Sequence, residues 1–164
     1  MARVAINGLG RIGRATLKIV LDTPGLDLVA ANDLGTSDHV AYLLKYDTIY
    51  GRYAKTVNTT GEGHLVVGGH RLALLREPQP GLLPWQSLAV DIVFECTGAF
   101  TTREDLEHHI RAGARYVILS APSNSDDVET IVHGVNAPTA RTATISSVTI
   151  RRGGKMLLDS AFAL

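Results

Sequence analysis

The chain has 164 residues, with 16 lysines and arginines balanced by 16 aspartates and glutamates, and 45% of it is hydrophobic. That length suits one domain with its own core, and zero net charge gives no electrostatic reason to expect nucleic acid or an anionic membrane as partner. The single cysteine, Cys96, excludes an intrachain disulfide and a cysteine-based zinc cluster, and no apolar run approaches membrane-spanning length.

Ala2 to Asn7 reads as a buried strand and Arg11 to Leu21 as a helix with Ile12, Leu17, Val20 and Leu21 available to pack. No basic leader with an apolar core opens the chain, so a cytoplasmic setting is expected. After Thr23-Pro24-Gly25, Leu26 to Ala31 reads as a second strand, and Ser37 to Leu44 as a helix with Ser37 as its N-cap. From Thr56 to Leu75, glycines 61, 63, 68 and 69 separate short apolar runs, the pattern of an antiparallel hairpin excursion rather than another crossover. Pro78, Pro80 and Pro84 then predict a loop with at most a short helical turn. Ala89 to Glu95 is expected as a strand, Thr102 to Arg111 as a threonine-capped helix, and Tyr116 to Leu119 and Glu129 to Val132 as strands. Beyond Asn136 no element is legible until Lys155 to Leu164, which has helical spacing. Residues 1–150 are therefore expected to form one domain, and 151–164 a linker and a closing helix packed on it. The alternation of strand and helix predicts an α/β fold with a doubly wound, mostly parallel sheet.

Gly8-Leu9-Gly10-Arg11-Ile12-Gly13 is a G-x-G-x-x-G string placed where its mechanism requires, after a strand and at the start of a helix. Gly8 permits the tight turn, Gly10 lets backbone approach a pyrophosphate, and Gly13 lets the helix pack on the strand. Helix-start amides and the helix dipole then hold phosphates. Asp33 follows Gly13 by 20 residues, where a carboxylate accepts hydrogen bonds from ribose hydroxyls and repels a 2′-phosphate. NAD is thus the expected cofactor, on a Rossmann fold with strand order 3-2-1-4-5-6.

Several separated strings resemble the N-terminal half of glyceraldehyde-3-phosphate dehydrogenase. These are residues 5–14, Asn32-Asp33-Leu34, Leu44-Lys45-Tyr46-Asp47, Glu95-Cys96-Thr97-Gly98, Ser120-Ala121-Pro122-Ser123 and His133-Gly134-Val135-Asn136, in the family's order. The resemblance implies pyrophosphate contacts from the backbone of Arg11 and Ile12, and Asp33 on the ribose. It places Asn7 and Arg76 near the adenosine half, and Thr97, Gly98 and Ser120 toward the nicotinamide. Glu77 stands where the family has aspartate. The larger departure comes after residue 136, where the family carries Ser-Cys-Thr-Thr-Asn with its catalytic thiolate and then a substrate domain. Here Thr144 to Ile150 holds no cysteine, and Lys155 to Leu164 resembles the family's last helix.

A thiolate nucleophile needs an activating base, and nothing near Cys96 supplies one, so Cys96 is expected to be structural and no catalytic residue is assigned. The histidines at 39, 64, 70, 108, 109 and 133 lack metal-ligand spacing and are expected to be solvated. Glu104, Asp105 and Glu107 suit a helix start, and Arg151-Arg152 a solvated linker. The chain is therefore expected to bind NAD without turnover, as a glycolytic oxidoreductase's cofactor domain with the catalytic domain missing. Two alternatives stand beside this: complementation by a separate catalytic segment, and an interaction protein with a vestigial nucleotide site. The surface that the catalytic domain would cover is the candidate face for self-association.

Overall fold

The computed structural model describes residues 1–60, 63–126, 128–131 and 145–147. The first half alternates as expected: β1 (Ala2–Asn7), α1 (Arg11–Asp22), β2 (Leu26–Asn32) and α2 (Ser37–Lys45). A small antiparallel pair, β3 (Tyr46–Asp47) and β4 (Gly51–Arg52), precedes β5 (Val57–Thr60), β6 (His64–Val67) and β7 (His70–Leu75). A 3₁₀ turn at Pro80–Leu82 leads to β8 (Ile92–Glu95), α3 (Arg103–Arg111), β9 (Tyr116–Leu119), β10 (Glu129–Thr130) and β11 (Ile145–Ser147).

Nine strands form one sheet in the order β10-β11-β9-β8-β1-β2-β7-β6-β5. Seven of them run parallel, from β10 to β7, and β6 and β5 add an antiparallel margin. The stretch β7-β2-β1-β8-β9-β11 is the doubly wound order 3-2-1-4-5-6. The third strand of that series is β7, so the glycine-rich segment is an excursion only in β5 and β6. β7 pairs antiparallel with β6 through His64↔Ala73 and parallel with β2 through Ala30↔Ala73. The sixth strand is β11, in a stretch that showed no element in the sequence, and β10 lies outside it.

The strands are buried on both faces, which is why they read as unbroken apolar runs. Val4, Ile6, Leu28, Phe94 and Ile118 pack with Leu17 and Val20 of α1 and with Val40 and Leu44 of α2. Their neighbours Ala5, Ala30, Val93, Val117 and Leu119 point the other way, onto Leu106 of α3, Trp85 and Leu83. Helix spacing and strand alternation therefore specify the same two-sided core, each large side chain adding roughly 1.5–3 kcal/mol on burial.

Helix boundaries follow local chemistry. The cap of α2 is Thr36, not Ser37, because the Thr36 hydroxyl accepts from the His39 amide and leaves Ser37 as the first helical residue. α3 has a reciprocal capping box, in which the Thr102 oxygen accepts from the Asp105 amide and the Asp105 carboxylate accepts from Thr102 N–H. The strand expected from Ala89 starts at Ile92 instead. Residues 84–90 are held in turns by Leu88 N–H on Pro84 O and Val90 N–H on Trp85 O, with Ala89 at φ 49°. Expectations for the stretch 132–136, for Thr144 and residues 148–150, for Arg151-Arg152 and for the closing helix at 155–164 lie outside the described residues. Among the described residues no helix is long and apolar enough to cross a membrane.

Candidate nucleotide-binding site

The carboxyl ends of β1, β2 and β8 converge on a cavity of about 390 Å³, walled by Gly8, Gly10, Asp33, Leu34, Thr97 and Phe100 among others. It lies where the strand order reverses between β2-β1 and β8-β9, the position that open α/β sheets offer to ligands. Three glycines shape its floor for three different reasons. At Gly8, φ is 91° and an added Cβ would lie 2.8 Å from the Thr97 amide nitrogen. At Gly13 an added Cβ would fall 1.8 Å from the Gly8 carbonyl oxygen, so α1 packs on the turn at a distance only glycine allows. Gly10 differs: its φ is −64° and nothing in the protein lies within 4 Å of an added Cβ. The chain has no steric need for glycine there, whereas a ligand seated against the backbone does.

Gly10 is also the N-cap of α1, and no side chain caps it. The first-turn amides of a helix have no intrahelical acceptor, so this start offers donors and the positive end of a dipole to an anion. Asp33 sits across the turn, half-buried. Its Oδ2 accepts from the Leu9 amide at 2.7 Å and its Oδ1 from the Gly35 amide at 2.8 Å. Each oxygen keeps a second lone pair for a hydroxyl. A pyrophosphate on the amides with a ribose diol on Asp33 is the ligand chemistry these groups fit.

The other sequence-assigned residues fall into distinct places. Thr97 and Gly98 form the loop after β8, with Gly98 at φ 73°, and Thr97 N–H donates to Glu95 Oε1 at 2.7 Å. Ser120 donates its amide to the Glu95 carbonyl at 2.9 Å, and its side chain bonds Cys96. Asn7 lines the cavity but is 1% exposed, and its amide is committed to Glu95 and Asn32 at 2.6 and 2.7 Å. Arg76 is exposed and donates to the Leu34 carbonyl, at the wall of a second cavity of about 380 Å³ that Gly35 also lines. The Arg11 side chain lines a third cavity with Arg14, Lys18 and Arg52, away from the phosphate turn, so only its backbone belongs to the floor described here. Ile12 is 39% exposed beside it.

Cys96 is half-buried between Gly13 and Ser120. Burial, aided by the Glu95 charge, pushes its thiol up to about 12, against the partial opposing effect of bonds from Ser120 and Thr16. Among the described residues no histidine pairs it, and it has the character of a packed, inert thiol. The histidines are not uniformly solvated. His109 is 0% exposed, with Nε2 3.0 Å from Glu95 Oε2 and Nδ1 accepting from Trp85 Nε1 at 2.9 Å. His70 is half-buried, with its Nε2 on the Leu28 carbonyl at 2.7 Å. The signal for His109 was its place three residues after Leu106, on the apolar face of α3. His133 lies outside the described residues. Among the described residues no cluster of three or more histidine, cysteine or carboxylate groups could hold a metal ion.

Residues 2–103 match the family described as the NAD-binding domain of glyceraldehyde 3-phosphate dehydrogenase. The glyceraldehyde-3-phosphate dehydrogenase of Clostridium acetobutylicum is 47% identical over 136 residues, 83% of this chain and 40% of that protein. The enzyme of Thermotoga maritima is 45% identical over 138 residues, covering 83% of this chain and 41% of its own. That of Geobacillus stearothermophilus is 46% identical over 134 residues, with 82% and 39% covered. The chain thus spans about 40% of the length of the curated relatives it matches.

Proposed function

Because the chain belongs to the family of glyceraldehyde-3-phosphate dehydrogenase NAD-binding domains, we propose that it holds NAD across the ends of β1, β2 and β8 without turnover by these residues alone. The single observation carrying this reading is Gly10, an uncapped helix start with empty space where a Cβ would stand. The backbone at Gly8, Gly10, Arg11 and Ile12 takes the pyrophosphate, and Asp33 takes the adenosine ribose. Arg76 flanks the adenine end, while Asn7 supports the floor from below. Thr97, Gly98 and Ser120 line the way to the nicotinamide.

NAD supplies a hydride acceptor, but aldehyde oxidation also needs a nucleophile and a base. Cys96 is a protonated, partner-bound thiol with no histidine beside it among the described residues, which therefore bind and orient and do not attack a substrate. The dehydrogenation named for the relatives belongs to this chain only together with residues supplying those groups. A cytoplasmic setting fits a cofactor of central metabolism. Self-association follows if the face that a substrate domain occupies in such enzymes is left uncovered.

Calorimetric titration of the chain with NAD tests the reading. Saturable one-to-one binding that Gly10→Ala removes supports it, and no heat from a demonstrably folded chain refutes it. NADH production from glyceraldehyde 3-phosphate by the pure chain would refute the absence of turnover.

A further inference from the structure

Beneath the cofactor loop lies a carboxylate that the binding role does not use. Glu95, the last residue of β8, is 0% exposed. Its Oε2 accepts from Asn7 Nδ2 at 2.6 Å and meets His109 Nε2 at 3.0 Å. Its Oε1 accepts from both the amide and the hydroxyl of Thr97. Behind His109, Trp85 Nε1–H bonds Nδ1 at 2.9 Å.

An indole N–H only donates, so His109 Nδ1 must be the acceptor. The ring is therefore the neutral Nε2–H tautomer, and that N–H donates to Glu95. Four donors then converge on two carboxylate oxygens, and the direction of every bond is fixed from Trp85 outward. Asn7, having turned its NH₂ to Glu95, presents Oδ1 to Asn32 Nδ2 at 2.7 Å. Asn32 in turn donates to the Glu77 carbonyl and accepts the Glu77 amide. One proton arrangement thus joins the loop after β8, the ends of β1 and β2, and the segment after β7, all at the rim of the cavity.

We propose that Glu95 and His109 are positioning residues for the cofactor: they hold the Thr97 loop and the end of β1 in binding register through the one tautomer that Trp85 permits. This rests on the reading that the cavity takes NAD. A proton on Nδ1 would set an imidazolium N–H against the indole N–H with no acceptor between them. The groups bonded to the ring are Glu95 from β8 and Trp85 from the turn before it, and among the described residues no lysine or arginine pairs with Glu95.

The test uses histidine ¹⁵N spectra, amide exchange at Thr97 and NAD titration on the full chain. His109 is expected as the Nε2–H tautomer, with Nδ1 the unprotonated ring nitrogen. His109→Gln, whose carbonyl can accept from Trp85 and whose amide can donate to Glu95, keeps Thr97 protected and NAD affinity within ~3-fold of wild type. His109→Leu, which fills the space but makes neither bond, speeds Thr97 exchange and weakens NAD by at least ~10-fold. A packing role alone would leave leucine as good as glutamine, and that result overturns the proposal. An Nδ1–H tautomer of His109, or fast Thr97 exchange in the glutamine variant, overturns it even if the leucine variant does not fold. Failure of the wild-type chain to bind NAD refutes the cofactor reading instead, while the tautomer and exchange results still decide whether the network positions the loop.

Discussion

Gly10 and Gly13 stand three residues apart in one motif, and the structure predicts opposite consequences for replacing each by alanine. At position 13 the new methyl would lie 1.8 Å from the Gly8 carbonyl oxygen and 2.9 Å from its carbon, both backbone atoms that cannot rotate away. α1 and the turn would have to part by well over an ångström, disturbing the burial of Leu17 and Val20. Overpacking of a core costs about 1–3 kcal/mol, and a forced backbone separation sits at or above the top of that range. At about 2–4 °C per kcal/mol for a chain of this size, Gly13→Ala should lower Tm by roughly 6–12 °C or more. At position 10 the backbone (φ −64°, ψ −164°) is open to any residue and the methyl meets no protein atom. The cost to stability is then only the poorer N-cap, about 1 kcal/mol or less. The same methyl occupies the approach to the helix-start amides, so NAD affinity should fall at least tenfold, about 1.4 kcal/mol. Thermal melts of both variants with and without NAD, alongside calorimetry, separate the two effects. Wild-type NAD affinity in Gly10→Ala would mean that phosphates do not sit on this helix start. A Tm within a degree or two of wild type for Gly13→Ala would refute the steric argument.

Other outcomes follow from the same geometry. Asp33→Asn puts an NH₂ against either the Leu9 or the Gly35 amide, so NAD should bind at least ~10-fold more weakly, read by calorimetry, and its advantage over NADP should shrink. Cys96 should resist alkylation at pH 8 in the folded chain and react once it is unfolded. The fold raises this thiol from 9.0 to about 12, so its contribution to stability is complete below pH 9.0 and is lost as pH climbs from there toward 12. Denaturant midpoints measured across that window check the sign. Thr102→Ala removes the hydroxyl half of the α3 capping box and should cost about 1 kcal/mol, a fall of about 2–4 °C in Tm.

The glycine turn between β1 and α1 was legible because its close packing demands particular residues at particular spacings. The buried strands were legible because parallel strands covered on both faces leave continuous apolar text. Pairing direction leaves no such trace: His70–Leu75 alternates like a hairpin arm and is one toward β6, while its other edge runs parallel to β2. Ile145–Ser147 has one large aliphatic residue in three, too little for periodicity to register, and its strand is visible through its pairing with β9 and β10. The buried network escaped for a related reason. Trp85, Glu95 and His109 lie on different elements, and only the fold shows that a donor, an acceptor and a two-faced ring meet in line.

The two hydrogen bonds that Asp33 accepts bear on redesign of the cofactor preference. The obvious route from NAD toward a 2′-phosphorylated cofactor is to remove this carboxylate and place a cation nearby. Here the same carboxylate pins the Leu9 amide inside the phosphate turn and the Gly35 amide at the approach to α2. Substitution would release two backbone donors at the spot where the turn must stay rigid. Specificity and loop order are coupled in one side chain, so a switched variant needs a second change that gives Leu9 N–H another acceptor.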